Sequence, residues 1–117
     1  MEIGLTSTGG TKVRMGIFAV AVAIAMTSIV VTLAGNPKAA TNKAETLCAG
    51  CHGPDGISTN PLWPNLAGQK EQYLIKTMKE YRDSTRPDPN MAAYAQTLSD
   101  QEIEDLAAYY AELPPGG

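Results

Sequence analysis

The stretch Cys48-Ala49-Gly50-Cys51-His52 decides how this chain folds. The sequence of 117 residues contains two cysteines and one histidine, and all three lie in this pentapeptide. Two thiols and an imidazole so close together point to a disulfide, a redox-active dithiol, a metal site or an attached cofactor. Each alternative predicts a different scaffold around the pentapeptide, so the rest of the sequence can be used to choose among them.

Covalent attachment of haem is the alternative that the sequence favours. A disulfide between Cys48 and Cys51 would close a loop too short to constrain the unfolded chain much. A thioredoxin-type dithiol needs a strand before its helix, and a structural zinc site needs four Cys or His ligands where the chain offers three. Cys-x-x-Cys-His is the attachment pattern of c-type haem. It predicts one haem c, with thioethers to both cysteines and His52 as an axial ligand of the iron.

A methionine is expected on the other side of the iron, because the chain has no second histidine and His/Met ligation is common in cytochromes c. Three of the five methionines belong to the first 35 residues. Met78 lies on the apolar stripe of a predicted helix, where methionine usually packs in the core. Met91 follows two prolines and an asparagine in "RPDPNM", which predicts an irregular loop. We favour Met91 as the ligand and keep Met78 as the alternative.

The sequence after residue 40 predicts an all-α domain. Residues 41–52 indicate a short helix that ends in the attachment turn, and residues 69–83 indicate a second one. The clearest helix lies in residues 98–113, where Ser99 and Glu102 form a capping box. Apolar residues then recur at i, i+3, i+4 and i+7 from Ile103. A domain this small often needs a cofactor to complete its core.

A long apolar segment precedes this domain. Residues 15–35 carry no charge and are long enough to cross a bilayer, which takes about 20 residues. Lys12 and Arg14 precede the segment and predict a cytoplasmic N-terminus. A retained membrane anchor is favoured over a secretory signal cleaved near Ala34, because a signal needs an apolar core of only about 7–15 residues.

The anchor sets the expected organisation and location. A haem domain exported through the cytoplasmic membrane would face the periplasm, joined by a linker that reaches roughly 24 Å when fully extended. The net charge of −3 gives no basic footprint for nucleic acid. The predicted segments are a cytoplasmic stretch (1–14), a transmembrane anchor (15–35), a short linker (36–42) and a haem domain (43–117).

Nearly all of residues 41–113 resembles a class I cytochrome c, in particular the mono-haem domains of the bacterial c4, c5 and c553-like group. The matching pieces are "CAGCHGPDG", "WPNLAGQ", "RPDPNMAAYA" and "LSDQEIEDLAAYYAEL". Ser84 departs from the pattern, since relatives usually carry glycine there. The resemblance implies the class I cytochrome c fold, wrapped around one covalent haem.

The resemblance also implies a role for each matching residue. Pro64 would present its carbonyl to the Nδ1–H of His52, which fixes the imidazole. Cys48 and Cys51 would hold the haem, and His52 and Met91 would ligate its iron. The remaining pocket residues implied by the match are Trp63, Leu66 and Tyr94.

Single-electron transfer is the expected function, because iron with two protein ligands leaves no open position for a substrate. The expected partners are redox proteins, chiefly membrane-bound respiratory or photosynthetic complexes, and not small molecules or nucleic acid. A soluble periplasmic shuttle remains the alternative if the leader is cleaved. Two other classes stay open: a haem enzyme or gas-binding protein in which Met91 dissociates, and an interaction subunit with a structural haem.

Overall fold

The computed structural model describes Gly4, Gly9, Gly10 and residues 34–116. Within these residues the chain is helical and contains no strand, which confirms the all-α prediction for this part of the protein. No helix among them is long and apolar enough to span a membrane. The anchor predicted over residues 15–35 lies outside the described residues, apart from Ala34 and Gly35.

The first helical segment runs without a break into the attachment motif. It comprises helix α1 (Pro37–Lys43), a π-helical turn (Ala44–Cys48) and helix α2 (Ala49–His52). Asn36 caps α1, accepting a hydrogen bond from the Lys38 N–H at 3.1 Å, and Pro37 occupies the first turn. The short linker predicted over residues 36–42 is therefore corrected, because Asn-Pro begins a helix here. The length calculated for an extended linker does not apply.

Three further helices complete the domain: α3 (Glu71–Arg82), α4 (Pro89–Ala95) and α5 (Asp100–Glu112). The capping box predicted for α5 is present. The Glu102 N–H donates to Ser99 Oγ at 3.2 Å, and the Ser99 N–H donates to Glu102 Oε2 at 2.8 Å. The apolar face predicted to start at Ile103 is buried along its length. Helix α5 is therefore the central packing element, and both α1 and α3 pack against it.

The connection from α3 to α4 differs from the loop expected before Met91. Asp88 caps α4, its Oδ1 accepting hydrogen bonds from the Asn90 and Met91 N–H groups at 3.0 Å each. Met91 therefore lies in the first turn of α4 and not in a loop, because Asp-Pro reads as a cap followed by the first helical residue. Ser84, just after α3, has φ of +60°, the backbone region that favours glycine.

The start of α1 is fixed against α5 by a buried carboxylate. Asp105 Oδ1 accepts hydrogen bonds from the Asn36 N–H at 2.7 Å and from Gln101 Nε2 at 2.9 Å. A side chain at Gly35 would collide with the backbone of Glu104. Residues 35–36 thus belong to the packed domain, and these contacts fix the start of α1 against α5.

Candidate haem site

The attachment residues lie at the end of the first helical segment. Cys48 ends the π-helical turn, and Cys51 and His52 lie on α2. Both cysteines are half-buried and form no disulfide. Burial raises the pKa of the Cys48 thiol above its ordinary value, although a hydrogen bond with Tyr110 opposes this. Both thiols and the imidazole line one cavity, which the sequence pattern predicted.

His52 is buried and its ring is held in a fixed orientation. Its Nδ1 lies 2.8 Å from the carbonyl oxygen of Pro64, twelve residues further along the chain. A proton on Nδ1 donates to that carbonyl and leaves Nε2 as the nitrogen available to bind iron. The contact expected for Pro64 is therefore present in the structure.

The loop that presents the Pro64 carbonyl is held by its own hydrogen bonds. The carbonyl of Gly56 accepts from the Leu66 N–H at 2.8 Å and from the Ala67 N–H at 3.0 Å. Asn65 Oδ1 accepts from the Ser58 N–H at 2.8 Å. These bonds fix the loop on both sides of Pro64, so the orientation of His52 depends on backbone geometry more than on a particular side chain.

The cavity has a volume of about 590 Å³, within the range typical of cofactor sites. Three aromatic side chains on its wall, Trp63, Tyr73 and Tyr94, are between 42% and 46% exposed. A flat, largely apolar prosthetic group would cover such faces, so the wall fits haem. All eight residues proposed from the sequence line this cavity, namely Cys48, Cys51, His52, Trp63, Pro64, Leu66, Met91 and Tyr94.

Both candidate methionines reach the cavity. Met78 lines it from α3 and also packs against the hydrophobic core, as its position on an apolar stripe suggested. Met91 lines it from α4, where Asp88 holds the backbone N–H. Helices α3 and α4 pack against each other and close this side of the cavity. The assignment of Met91 as the ligand stays a prediction.

Some lining residues were not found by sequence reasoning. Tyr110 was expected only as part of the apolar face of α5, yet it lines the cavity, and its burial raises the pKa of its phenol far above the ordinary value. Tyr73 and Tyr81 lie eight residues apart on α3 and both line the cavity. Two helical turns separate them, a spacing that predicts a shared face. Arg86 also lines the cavity; it begins the matched stretch "RPDPNMAAYA", but no role was assigned to it from the sequence.

Comparison with known proteins agrees with this geometry. The family model for cytochrome c matches residues 37–114, nearly the entire described domain. The chain belongs to the cytochrome c family. With Cys48 and Cys51 in the attachment motif, this cytochrome c carries covalently bound haem c.

Relatives of this cytochrome include bacterial cytochromes. It is 45% identical over 80 residues to cytochrome c4 of Thiocapsa roseopersicina, covering 68% of this chain and 41% of that protein. It is 46% identical over 81 residues to cytochrome c-554(548) of Halomonas halodenitrificans, covering 67% of this chain and 96% of that protein. The structure of reduced cytochrome c4 from Pseudomonas stutzeri superposes with a TM-score of 0.65 at 36% identity, covering 69% of this chain and 47% of that one.

The matched share of the relative's length differs between the cytochromes c4 and cytochrome c-554(548). This chain spans 41% of the Thiocapsa cytochrome c4 and 47% of the Pseudomonas one, but 96% of cytochrome c-554(548). The residues matched by the family model, 37–114, contain the attachment motif and the cavity.

Proposed function

We propose that this cytochrome c is a single-electron carrier with His52 and Met91 as the axial ligands of its iron. The observation that carries the proposal is the contact between His52 Nδ1 and the Pro64 carbonyl at 2.8 Å, in a cavity that Met91 also lines. Haem c supplies a reversible couple between ferrous and ferric iron, and a Met/His ligand pair raises its reduction potential. The names of the cytochrome c4 relatives support the same class of function.

The residues that line the cavity would hold the haem and cover part of it. Cys48 and Cys51 would fix its position covalently, and the hydrogen bond from His52 to Pro64 would keep the imidazole orientation unchanged between the two oxidation states. Trp63, Leu66 and Tyr94 would cover it with apolar surface. Iron ligated on both sides has no open position for a substrate, which favours a carrier over an enzyme.

Redox proteins are the proposed partners. This chain is 41% identical over 69 residues to a thiosulfate dehydrogenase electron acceptor of Stutzerimonas stutzeri, covering 56% of this chain and 32% of that protein. The name of that relative supports a partner that is itself an oxidoreductase. We propose that this partner docks at the rim of the cavity, where an edge of the bound haem would be accessible to it.

We further propose that residues 15–35 anchor the protein in the cytoplasmic membrane, with the haem domain in the periplasm. The support is the uncharged apolar run after Lys12 and Arg14. The intact mass of the protein from native membrane and soluble fractions tests this. A membrane species of full length with one haem agrees with an anchored carrier, whereas a soluble species shortened near Ala34 replaces the anchor with a cleaved signal.

Replacing Met91 tests the proposed electron-carrying site. Met91→Ala should keep its haem, because the thioethers remain, but its reduction potential should fall and added imidazole should bind the iron. The measurements are visible spectra and a redox titration of the purified holoprotein. Met78→Ala is the matched control, since Met78 lines the same cavity, and should keep the potential and spectrum of the unmodified protein. The reverse pattern would make Met78 the ligand.

A further inference from the structure

Arg86 is the single Lys or Arg among the described residues that line the haem cavity. It lies in the connection between α3 and α4, and its side chain is exposed. Its position at the rim of a largely apolar wall differs from that of the other cations of the described domain, which do not line the cavity. A positive charge at this place would attract a negatively charged group of the cofactor in the cavity.

The guanidinium of Arg86 is held in place by two tyrosines of α3. Its Cζ lies 5.2 Å from the centre of the Tyr81 ring, a cation–π arrangement. Hydrogen bonding with Tyr81 and, to a smaller extent, Tyr73 raises the pKa of Arg86 above its ordinary value. The backbone N–H of Arg86 also donates to the Glu80 carbonyl at 3.2 Å. The charged group is therefore positioned by its neighbours at the cavity rim.

The nearby carboxylates do not use all the N–H donors of the Arg86 guanidinium. Its one ion pair among the described residues is with Glu80 Oε2 at 3.9 Å, longer than a hydrogen bond. The other carboxylate oxygen of Glu80 accepts from Lys76 Nζ at 2.6 Å. Asp88 also lines the cavity, but its Oδ1 accepts the two N–H bonds that cap α4. Arginine has five N–H donors, so a further carboxylate can be bound bidentately.

The chemistry of haem supplies such carboxylates. Besides the two vinyl groups that react with cysteines, haem carries two propionate side chains, which are ionised at neutral pH. We propose that Arg86, together with the Tyr73 and Tyr81 hydroxyls, binds a haem propionate and thereby raises the reduction potential of the iron. This inference deepens the proposed function and rests on haem binding, but it does not depend on which methionine or partner is used.

Loss of the Arg86 charge should change the potential in a definite direction. A cation near the iron favours the ferrous form, which carries one positive charge less than the ferric form. Arg86→Gln should therefore lower the midpoint potential. Arg86→Lys should keep the potential close to that of the unmodified protein, because lysine retains the positive charge, although it lacks the planar guanidinium. Haem content and the visible spectrum, which reports the ligation of the iron, should stay unchanged in both variants.

Arg82→Gln is the matched control for this measurement. Arg82 lies four residues earlier, pairs with Asp100 at 2.7 Å and does not line the cavity. Its substitution removes the same charge from the protein, so its effect on the potential should be clearly smaller than that of Arg86→Gln. Equal shifts in the two variants would overturn the proposal and show only the effect of net charge.

A second measurement needs no variant. In the diamagnetic ferrous holoprotein, the methylene protons of one haem propionate should show nuclear Overhauser contacts with the Arg86 side chain and the Tyr81 ring. Contacts of both propionates with other residues only would overturn the assignment. Failure of the proposed electron carrier would instead appear in the unmodified protein, as a haem that does not cycle reversibly, so the two failures are distinguishable.

Discussion

Gly53 determines how the chain leaves the attachment motif. It follows His52 directly, has φ of +84°, and its N–H donates to the Ala49 carbonyl at 2.9 Å. A Cβ here would collide with the carbonyl of Ile57, so both backbone conformation and space require glycine. The turn sends the chain into the loop that returns Pro64 to His52. One residue thus links the attachment motif to the hydrogen bond that orients the imidazole.

Gly53→Ala should destabilise the holoprotein by about 1–3 kcal/mol, the cost typical of a strained backbone position. Gly50→Ala is the control within the same motif, because a side chain at Gly50 meets no atom within 4 Å. On the helix it should be neutral or stabilising by about 0.5–1 kcal/mol. Chemical denaturation of both holoproteins, followed by haem absorbance, measures the difference. Equal stability of the two variants would show that the turn does not constrain the site.

Sequence reasoning identified some of the cavity residues and missed others, for physical reasons. Cys48, Cys51 and His52 lie within five residues, in a motif whose chemistry is local, so their spacing alone indicates haem. Pro64 came only from the resemblance, because its contribution is a carbonyl oxygen, which every residue possesses. Arg86 was missed because a charged residue in a polar loop usually faces solvent, and only the path of the chain brings it to the cavity.

Helices α1 and α5 are joined by Glu102, which has two roles. Its carboxylate closes the capping box with Ser99 and pairs with Lys43 Nζ at 2.9 Å. The hydrogen bond from Lys43, and then that from the Ser99 backbone, lower the pKa of Glu102 below its ordinary value of 4.5. A lowered pKa in the folded state stabilises the protein at neutral pH, and this stabilisation is lost as pH falls below about that ordinary value.

Glu102→Gln should therefore cost about 0.5 kcal/mol at neutral pH, typical of an exposed ion pair, and should weaken the loss of stability below pH of about 4.5. The amide can still accept the capping hydrogen bond, so helix α5 should persist. Denaturation of the holoprotein at several pH values gives the comparison. Glu45→Gln is the control, since the exposed Glu45 forms no ion pair with the described residues. If Glu45→Gln weakens the loss of stability at low pH as much as Glu102→Gln does, the proposed role of the Glu102 pKa is wrong.

Helices were predictable where their pattern is local. The capping box and the apolar periodicity identified α5, because both patterns involve only residues close together in the sequence. Asn36-Pro37 and Asp88-Pro89 were instead read as a linker and a loop, although each begins a helix. The same dipeptide pattern occurs in turns and at helix starts. Packing of α1 on α5 and of α4 on α3 decides between the two, and packing is not visible in sequence.

The protein has too little apolar side-chain volume to fold around itself. Six of the eleven buried hydrophobic residues in the described domain are alanines, and Ile103 is the single large side chain that is almost completely buried. A cavity of about 590 Å³ lies between the helices that these residues join. Interiors of stable proteins are close-packed. The haem therefore has to supply much of the core, which the size of the domain already suggested.

A protein that cannot attach haem should accordingly fail to fold cooperatively. The double variant Cys48→Ser/Cys51→Ser, purified without haem, should show low helix content by circular dichroism and no sharp thermal transition, because an unfilled cavity leaves the helix faces that line it without packing partners. Cys48→Ser alone keeps one thioether and should retain native helix content in the haem-bound form, with reduced stability. A haem-free double variant with a sharp transition near that of the holoprotein would show that the helices pack without the prosthetic group. In that case the alanine-rich contacts between α1 and α5 would be sufficient to stabilise the fold, and the haem would act only in electron transfer.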